Sequence, residues 1–547
     1  MTRNLQSAGR SVATLAITAS LVSTLASCGL TQHHEPSLAA APTGEEKLVE
    51  TVSGDSAYEL SETCDMPATA IPVDADGMWE DFNTEEYDRI VEQGFISAAT
   101  RPLSTVSSDV DTASYCNLRR MLHDGWTPEE IDSGAVRIEE MLNYFGYDYA
   151  APAKGDLFGM TTHVGDCPWN DQTKLVTIGF AAAPEAPEMA EKGSNLVFLI
   201  DVSGSMDSAD KLDLLKDAFA ELVGQLGKRD RVSIVTYASG EDVVLEGARG
   251  TEGRAIMRAI NRLHADGSTN GEAGLQQAYE VARRNYIEGG VNRIVMASDG
   301  DLNVGMTSES DLHDYVEQQR ETGIYLSVLG FGSGNYKDNK METLADHGNG
   351  SYHYIDCIEE AERVFGEHLT ANLVPLADDV KVQVEFNPAL VKGYRLIGYE
   401  NRAMADEDFR DDAKDAGDVG PGHQFTVAYE VALADSEQPV GATDLKYGTP
   451  AEGNAASDEW LTATLRYRPA DGSDVREQTK VVREGDWQRN PGDDWRFQAA
   501  VIEFGMLLRD SEYAGDADYD SISKLLDGAG KSEERADFAE LVDLALG

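Results

Sequence analysis

Apolar runs and amphipathic stretches take turns through the middle of the chain, over residues 175–369. Leu196, Val197, Phe198, Leu199 and Ile200 form an uninterrupted apolar run that stops at Asp201-Val202-Ser203-Gly204-Ser205. Such a run predicts a strand covered on both faces of a parallel sheet. Residues 211–226 are apolar at Leu212, Leu215, Phe219, Leu222, Val223 and Leu226, the spacing of an amphipathic helix. Strands are then expected over 232–237, 293–297, 324–329 and 351–354, with helices near 253–263 and over 271–285, 310–320, 340–347 and 359–369. That alternation predicts an α/β unit with a doubly wound, mostly parallel sheet.

The flanks have other textures. Residues 102–115 read as a strand running into a helix start, with Tyr115, Leu118, Met121 and Leu122 at helical spacing and Asp111 or Thr112 as the cap. Asp109 and Asp111 could be imagined on a metal, but capping accounts for both. A second helix is expected over 136–145, where Ile138, Met141, Leu142 and Phe145 fall on one face. Beyond residue 375 the period changes to two, over 380–386, 424–431 and 461–467, as in half-solvated antiparallel strands of a β-sandwich. The acidic stretch 406–418 has no apolar pattern and reads as a solvated loop. Two helical stripes close the chain, Phe497 to Leu508 by way of Val501 and Phe504, and Phe538, Leu541, Val542 and Ala545; both are expected in the core. Asp516, Asp518 and Asp520 look like the start of an EF-hand, but Ser521 stands where its glycine is required, so a helix cap is expected.

The first 27 residues have the form of a secretory signal: Arg3 and Arg10, then an apolar segment over 12–26 too short to span a membrane. Leu25-Ala26-Ser27-Cys28 resembles the lipobox of bacterial lipoproteins, which implies Cys28 as the lipid-attachment residue and a protein anchored to the cell membrane, facing outside the cytoplasm. The organisation expected is a signal over 1–27, a polar tether over 28–75, an α+β extension over 76–174, the α/β unit over 175–371 and a β-rich domain with terminal helices over 372–547. Four cysteines remain, Cys64, Cys116, Cys167 and Cys357, and in an oxidising compartment they allow two disulfides in three pairings. With 98 acidic against 45 basic residues the net charge is −53, a surface that repels nucleic acid.

Three strand-to-helix loops of the α/β unit carry oxygen ligands: Asp201, Ser203 and Ser205 in the first, Thr269 within Asp266-Gly267-Ser268-Thr269-Asn270-Gly271 in the second, and Asp299 before Gly300 in the third. Two carboxylates and three hydroxyls suit Mg²⁺, Mn²⁺ or Ca²⁺. The Asp-x-Ser-x-Ser motif, the Thr of a Gly-rich second loop and the Asp-Gly of the third resemble the metal-ion-dependent adhesion site of von Willebrand factor A (VWA) domains. Over nearly everything after the tether the chain resembles bacterial lipoproteins in which a VWA domain lies between an N-terminal extension and a C-terminal domain of unknown function. The matching stretches are 107–115, 136–140, 299–305 and 495–509. The resemblance implies that Ser203, Ser205 and Thr269 touch the metal directly while Asp201 and Asp299 act partly through water. It implies a binding protein rather than an enzyme, one whose cation grips an acidic residue of a partner protein in adhesion or envelope assembly. The alternatives are a metal-dependent hydrolase and a structural envelope protein whose metal only stabilises the fold. No Gly-x-Ser-x-Gly, His-Glu-x-x-His or Walker loop supports an enzyme.

Overall fold

The computed structural model describes residues 84–547 apart from 186–190, 301–308, 415, 442–445 and 448. The signal, Cys28, Cys64 and the tether lie outside the described residues, as does most of the 299–305 stretch. In chain order the first part supplies β1 (Ile96–Ser97), β2 (Leu103–Ser107), α1 (Ala113–His123), α2 (Ile138–Asn143), β3 (Phe158–Asp166) and β4 (Lys174–Ala182). The middle supplies β5 (Ser194–Asp201), α3 (Leu214–Gln225), β6 (Arg231–Tyr237), β7 (Glu241–Arg249), α4 (Gly253–Ile260), α5 (Gly271–Arg284), β8 (Val291–Ser298), α6 (Glu309–Arg320), β9 (Tyr325–Phe331), α7 (Asp338–His347), β10 (Tyr352–Ile355), α8 (Ile358–Glu362) and α9 (Leu369–Leu373). The last part supplies β11 (Ala377–Phe386), β12 (Val391–Ile397), β13 (Ala403–Met404), β14 (Gly417–Val419), β15 (Gln424–Leu433), β16 (Glu459–Pro469), β17 (Arg476–Arg483), α10 (Asp493–Leu508), α11 (Tyr519–Leu526) and α12 (Glu533–Leu546).

The middle sheet runs in the order β10-β9-β8-β5-β6-β7, parallel except for the edge strand β7. β5 is central, with β8 and β6 on either side, which is why its apolar run is unbroken. Leu196, Phe198 and Ile200 pack with α3, α4 and α8 on one face, and Val197 and Leu199 pack on the other. That second face is covered by α5 together with the first and last parts of the chain: α1, α2, α10 and α12 share one core with it. Both closing stripes are therefore core, as expected.

The antiparallel part is a sandwich, but not one made from residues after 372 alone. One sheet is β1-β12-β15-β4-β3 and the other β13-β2-β11-β16-β17. β2 pairs with β11 along Leu103↔Glu385 to Ser107↔Lys381, and β4 pairs with β15 along its length. The two sheets share a core in which Phe386 stacks on Tyr394 at 3.9 Å and Phe158 meets Tyr467 edge-on. The expected boundary at 175 falls inside β4, which belongs to the sandwich rather than to the parallel sheet. Alternation of side chains marks a strand but does not name its partner, so long-range pairing of this kind leaves no local signal.

Other expectations need correction. Cys116, Cys167 and Cys357 are free thiols, so two disulfides do not form. Cys167 follows the end of β3 while Cys116 lies on α1. Thr112 is the N-cap of α1 yet makes no side-chain cap bond; Glu140 Oε2 instead accepts from Ser114 N at 2.7 Å. Asp109 and Asp111 are not caps either. Asp111 Oδ1 accepts from Tyr352 N at 2.9 Å and its Oδ2 meets Arg402 at 3.2 Å, so this carboxylate ties the α/β unit to the sandwich. The acidic stretch 406–418 is not simply solvated: the carbonyls of Asp408, Asp411 and Lys414 surround the buried ammonium of Lys381. Asp518 does cap a helix, accepting from Ser521 N at 2.7 Å.

Candidate metal site

Asp201 ends β5 at the carboxyl edge of the parallel sheet and is completely buried. Its Oδ1 accepts from Ser203 N at 2.8 Å, and its Oδ2 accepts from Ser298 Oγ at 3.1 Å, where β8 ends beside it. Ser298 Oγ also accepts from Gly300 N at 3.0 Å; Gly300 itself has φ +86°, a left-handed turn in which a Cβ would meet the Lys337 backbone at 2.5 Å. The second loop is stitched to the first by two backbone bonds, Gly204 N to Gly267 O at 3.0 Å and Asp266 N to Val202 O at 2.8 Å. Thr269 sits half-buried in that loop, two residues before α5. The fold thus brings all three loops to one sheet edge.

Within the first loop Ser203 Oγ and Ser205 Oγ are 3.1 Å apart. Two neighbouring oxygens in an octahedral Mg²⁺ shell, each at about 2.1 Å from the ion, are separated by about 3 Å. The hydroxyl pair therefore has the spacing of adjacent ligands, and the hard-oxygen set suits a divalent cation of that kind. Burial, with the charge of Asp299 beside it, pushes the Asp201 carboxyl up to about 6. A cation held at the site would offset that cost.

Asp299 is buried and already has a cation. Lys211 Nζ lies 3.0 Å from Asp299 Oδ2, with the two side chains 8% and 0% exposed, and donates also to Asn335 Oδ1 at 3.0 Å. Asn335 Nδ2 reaches the same carboxylate oxygen at 3.3 Å. Lys211 stands in a single π-type turn, Ala209–Asp213, that precedes α3. Its stem crosses Gly332, where φ is +75° and a Cβ would come within 2.1 Å of Lys211 Cε. Sequence reasoning placed Lys211 at the start of a helix and missed this role; no spacing rule would have found it, because the contact depends on a glycine 121 positions away (332 − 211). The site is consequently less negative than its two carboxylates suggest.

A von Willebrand factor type A domain model matches residues 195–365, a second von Willebrand factor model matches 81–177, and the model for the C-terminal part of "Uncharacterized protein YfbK" matches 371–546. The Escherichia coli protein of that name is 39% identical over 480 residues, which is 85% of this chain and 81% of that one. The chain belongs to the YfbK family. A second relative, "Uncharacterized protein sll0103" of Synechocystis, is 26% identical over 53% of this chain and 70% of its own length. Among solved structures, a von Willebrand factor type A protein from Catenulispora acidiphila covers 74% of this chain and 90% of its own at 17% identity, with a TM-score of 0.39. The family-model match over residues 195–365 makes the α/β unit a VWA fold, accompanied by an antiparallel region. In this YfbK-family chain the segment matched at 371–546 holds only part of its sandwich, since β2, β3 and β4 come from before the VWA unit.

Among the described residues one further group brings metal-type ligand atoms together: Cys116, Asp356 and Glu360. Arg119 already occupies it, bonding both oxygens of Asp356 at 2.7 and 2.6 Å and Glu360 at 3.3 Å. Arg363 and Arg119 hold the Glu360 carboxyl down at about 2 against its burial. This cluster is a buried ion-pair network.

Proposed function

We propose that the chain is a surface-anchored binding protein whose VWA unit holds a divalent cation and uses it to grip an acidic side chain of a partner protein. The observation that carries this reading is the convergence of three loops on Asp201, with the Ser203 and Ser205 hydroxyls at the separation of adjacent metal ligands. In this reading Ser203, Ser205 and Thr269 contact the ion, and Asp201 and Asp299 support it. Mg²⁺ is the first candidate, with Mn²⁺ and Ca²⁺ sharing its preference for hard oxygens. Because the direct ligands are neutral and Lys211 offsets Asp299, the bound ion keeps most of its charge, and a carboxylate from outside completes its shell. That chemistry favours binding over hydrolysis. Lipid attachment at Cys28 completes the proposal, placing the site outside the cytoplasmic membrane.

The test is thermal unfolding of the wild type and of Ser203→Ala and Asp201→Ala variants, with Mg²⁺ or Mn²⁺ and with chelator. The cation is expected to raise the wild-type midpoint and to leave both variants unmoved; at saturation about 100-fold above Kd the gain is about 2.7 kcal/mol. Equal response of all three proteins would rule the site out. Cation-dependent capture of a partner from the native envelope, lost in Ser203→Ala, would separate adhesion from a purely stabilising metal.

A further inference from the structure

A cavity of about 250 Å³ lies where the VWA unit, the sandwich and the terminal helices meet; Thr112, Tyr144, His353, Arg363, His368 and His423 are among its walls. Two of those imidazoles end in a buried nitrogen with no hydrogen-bond partner, His353 Nε2 and His423 Nδ1. His353 is 5% exposed.

The network fixes which of the two nitrogens carries a proton. Asn372 Nδ2 donates to Val364 O at 3.1 Å, so its Oδ1 faces His423 Nε2 at 3.0 Å and that nitrogen must be the N–H. His423 Nδ1 is then a bare lone pair. Thr112 Oγ1 accepts from Arg363 Nη2 at 3.4 Å and lies 3.3 Å from His353 Nδ1; with the hydroxyl proton on that second contact, Nδ1 is the acceptor. His353 Nε2 is then an N–H donor. The chamber then offers one donor and one acceptor, each buried and without a partner in the protein, which a ligand bearing both groups would answer.

The surroundings select the sign of that ligand. Burial and then the charge of Arg363 drive the His353 imidazole down to about 3, and burial followed by His368, His353, Arg363 and Arg293 does the same to His423. Glu360 is committed to Arg363 and Arg119, and Glu534 stands exposed at the rim. Arg363 is the one guanidinium on the chamber wall and the exposed Glu534 its one carboxylate, so an anion meets less repulsion here than elsewhere on a chain of net charge −53.

We propose that the chamber binds inorganic phosphate. At neutral pH that anion always keeps one P–OH, which donates to His423 Nδ1, while a P–O⁻ oxygen accepts from His353 Nε2–H. Sulfate has the same shape and charge class but no proton to donate. A phosphomonoester dianion also lacks the P–OH, so the free ion is the better fit.

The test is calorimetric titration of the full chain at neutral pH with inorganic phosphate, sulfate and glycerol phosphate. Phosphate is expected to bind one to one, and sulfate and glycerol phosphate at least about tenfold more weakly, because a site built around a ligand hydroxyl rejects the analogue that lacks it. His423→Phe and His353→Phe are expected to lose the phosphate heat while retaining cooperative unfolding. Absence of phosphate binding up to about 10 mM, well above a Kd of about 1 mM, would overturn the proposal, as would equal affinity for sulfate or wild-type affinity in both variants. If the variants do not fold, the comparison of phosphate with sulfate on the wild type decides alone.

Discussion

Lys211 and Asp299 show how one pair sets the character of a site. An ammonium held 3.0 Å from a buried carboxylate removes one negative charge that a cation would otherwise meet. Lys211→Met is therefore expected to bind Mg²⁺ more tightly, by about tenfold or about 1.4 kcal/mol, in a calorimetric titration, and to be less stable than wild type without metal. Weaker binding in the variant would show that the lysine supports the site by another route. A second residue, Glu503 on α10, gives a pH signature. Burial raises its carboxyl to about 7, against which Ser521 Oγ donates one bond. The native state then holds a proton that the unfolded chain releases from about pH 4.5 upward, so wild-type stability falls as pH rises from there to about 7. Glu503→Gln cannot ionise and is expected to be more stable than wild type at pH 8, by about 2 kcal/mol, in denaturant unfolding at both ends of that window. At this scale the sequence carried much of the answer. Asp201, Ser203, Ser205 and Asp299 stand at or just beyond strand ends whose position follows from local periodicity, and Thr269 stands in a loop between two helices. Lys211, His353 and His423 did not show themselves, because their roles depend on neighbours from other parts of the chain.

At the scale of elements, the stretches 107–115 and 136–140 prove to be joints between parts of the molecule. Asp109 and Asp111 follow β2, Arg137 and Glu140 flank the start of α2, and each reaches into another part of the molecule. Arg137 pairs with Asp338 at the start of α7, and Arg402, beside β13, collects Asp109, Asp111 and Asp346. Arg402 is 11% exposed, so its loss leaves three carboxylates facing one another at a largely buried position. Arg402→Met is expected to lower stability by about 3–5 kcal/mol, read from denaturant midpoints, with a smaller effect pointing to water entering the gap. The helices and strands of the VWA unit were expected close to where they lie, apart from the edge strand β7, but in the sandwich β3, β4, β12 and β17 were not expected at all. What the pattern could not express was the pairing of a strand at 103–107 with one at 377–386, since period two says which face is buried and nothing about the partner.

At the scale of the molecule, the VWA unit is an insertion. The chain leaves the sandwich after β4, builds the parallel sheet, and returns to the sandwich at β11. Residues 372–547 alone lack β2, β3 and β4, so that fragment is expected to remain unfolded by circular dichroism and to fold when residues 84–185 are supplied. Independent folding of 372–547 would contradict the pairing described. The same insertion gives the sheet edge at Asp201 a mechanical character. β4 enters one sheet of the sandwich and β11 the other. A pull applied at the carboxyl edge of β5 is thus carried away through two covalent strands instead of one, each zipped laterally into a different sheet. Neither strand can peel out without shearing its sheet along its whole length, so a load at that edge is divided before it reaches the rest of the chain.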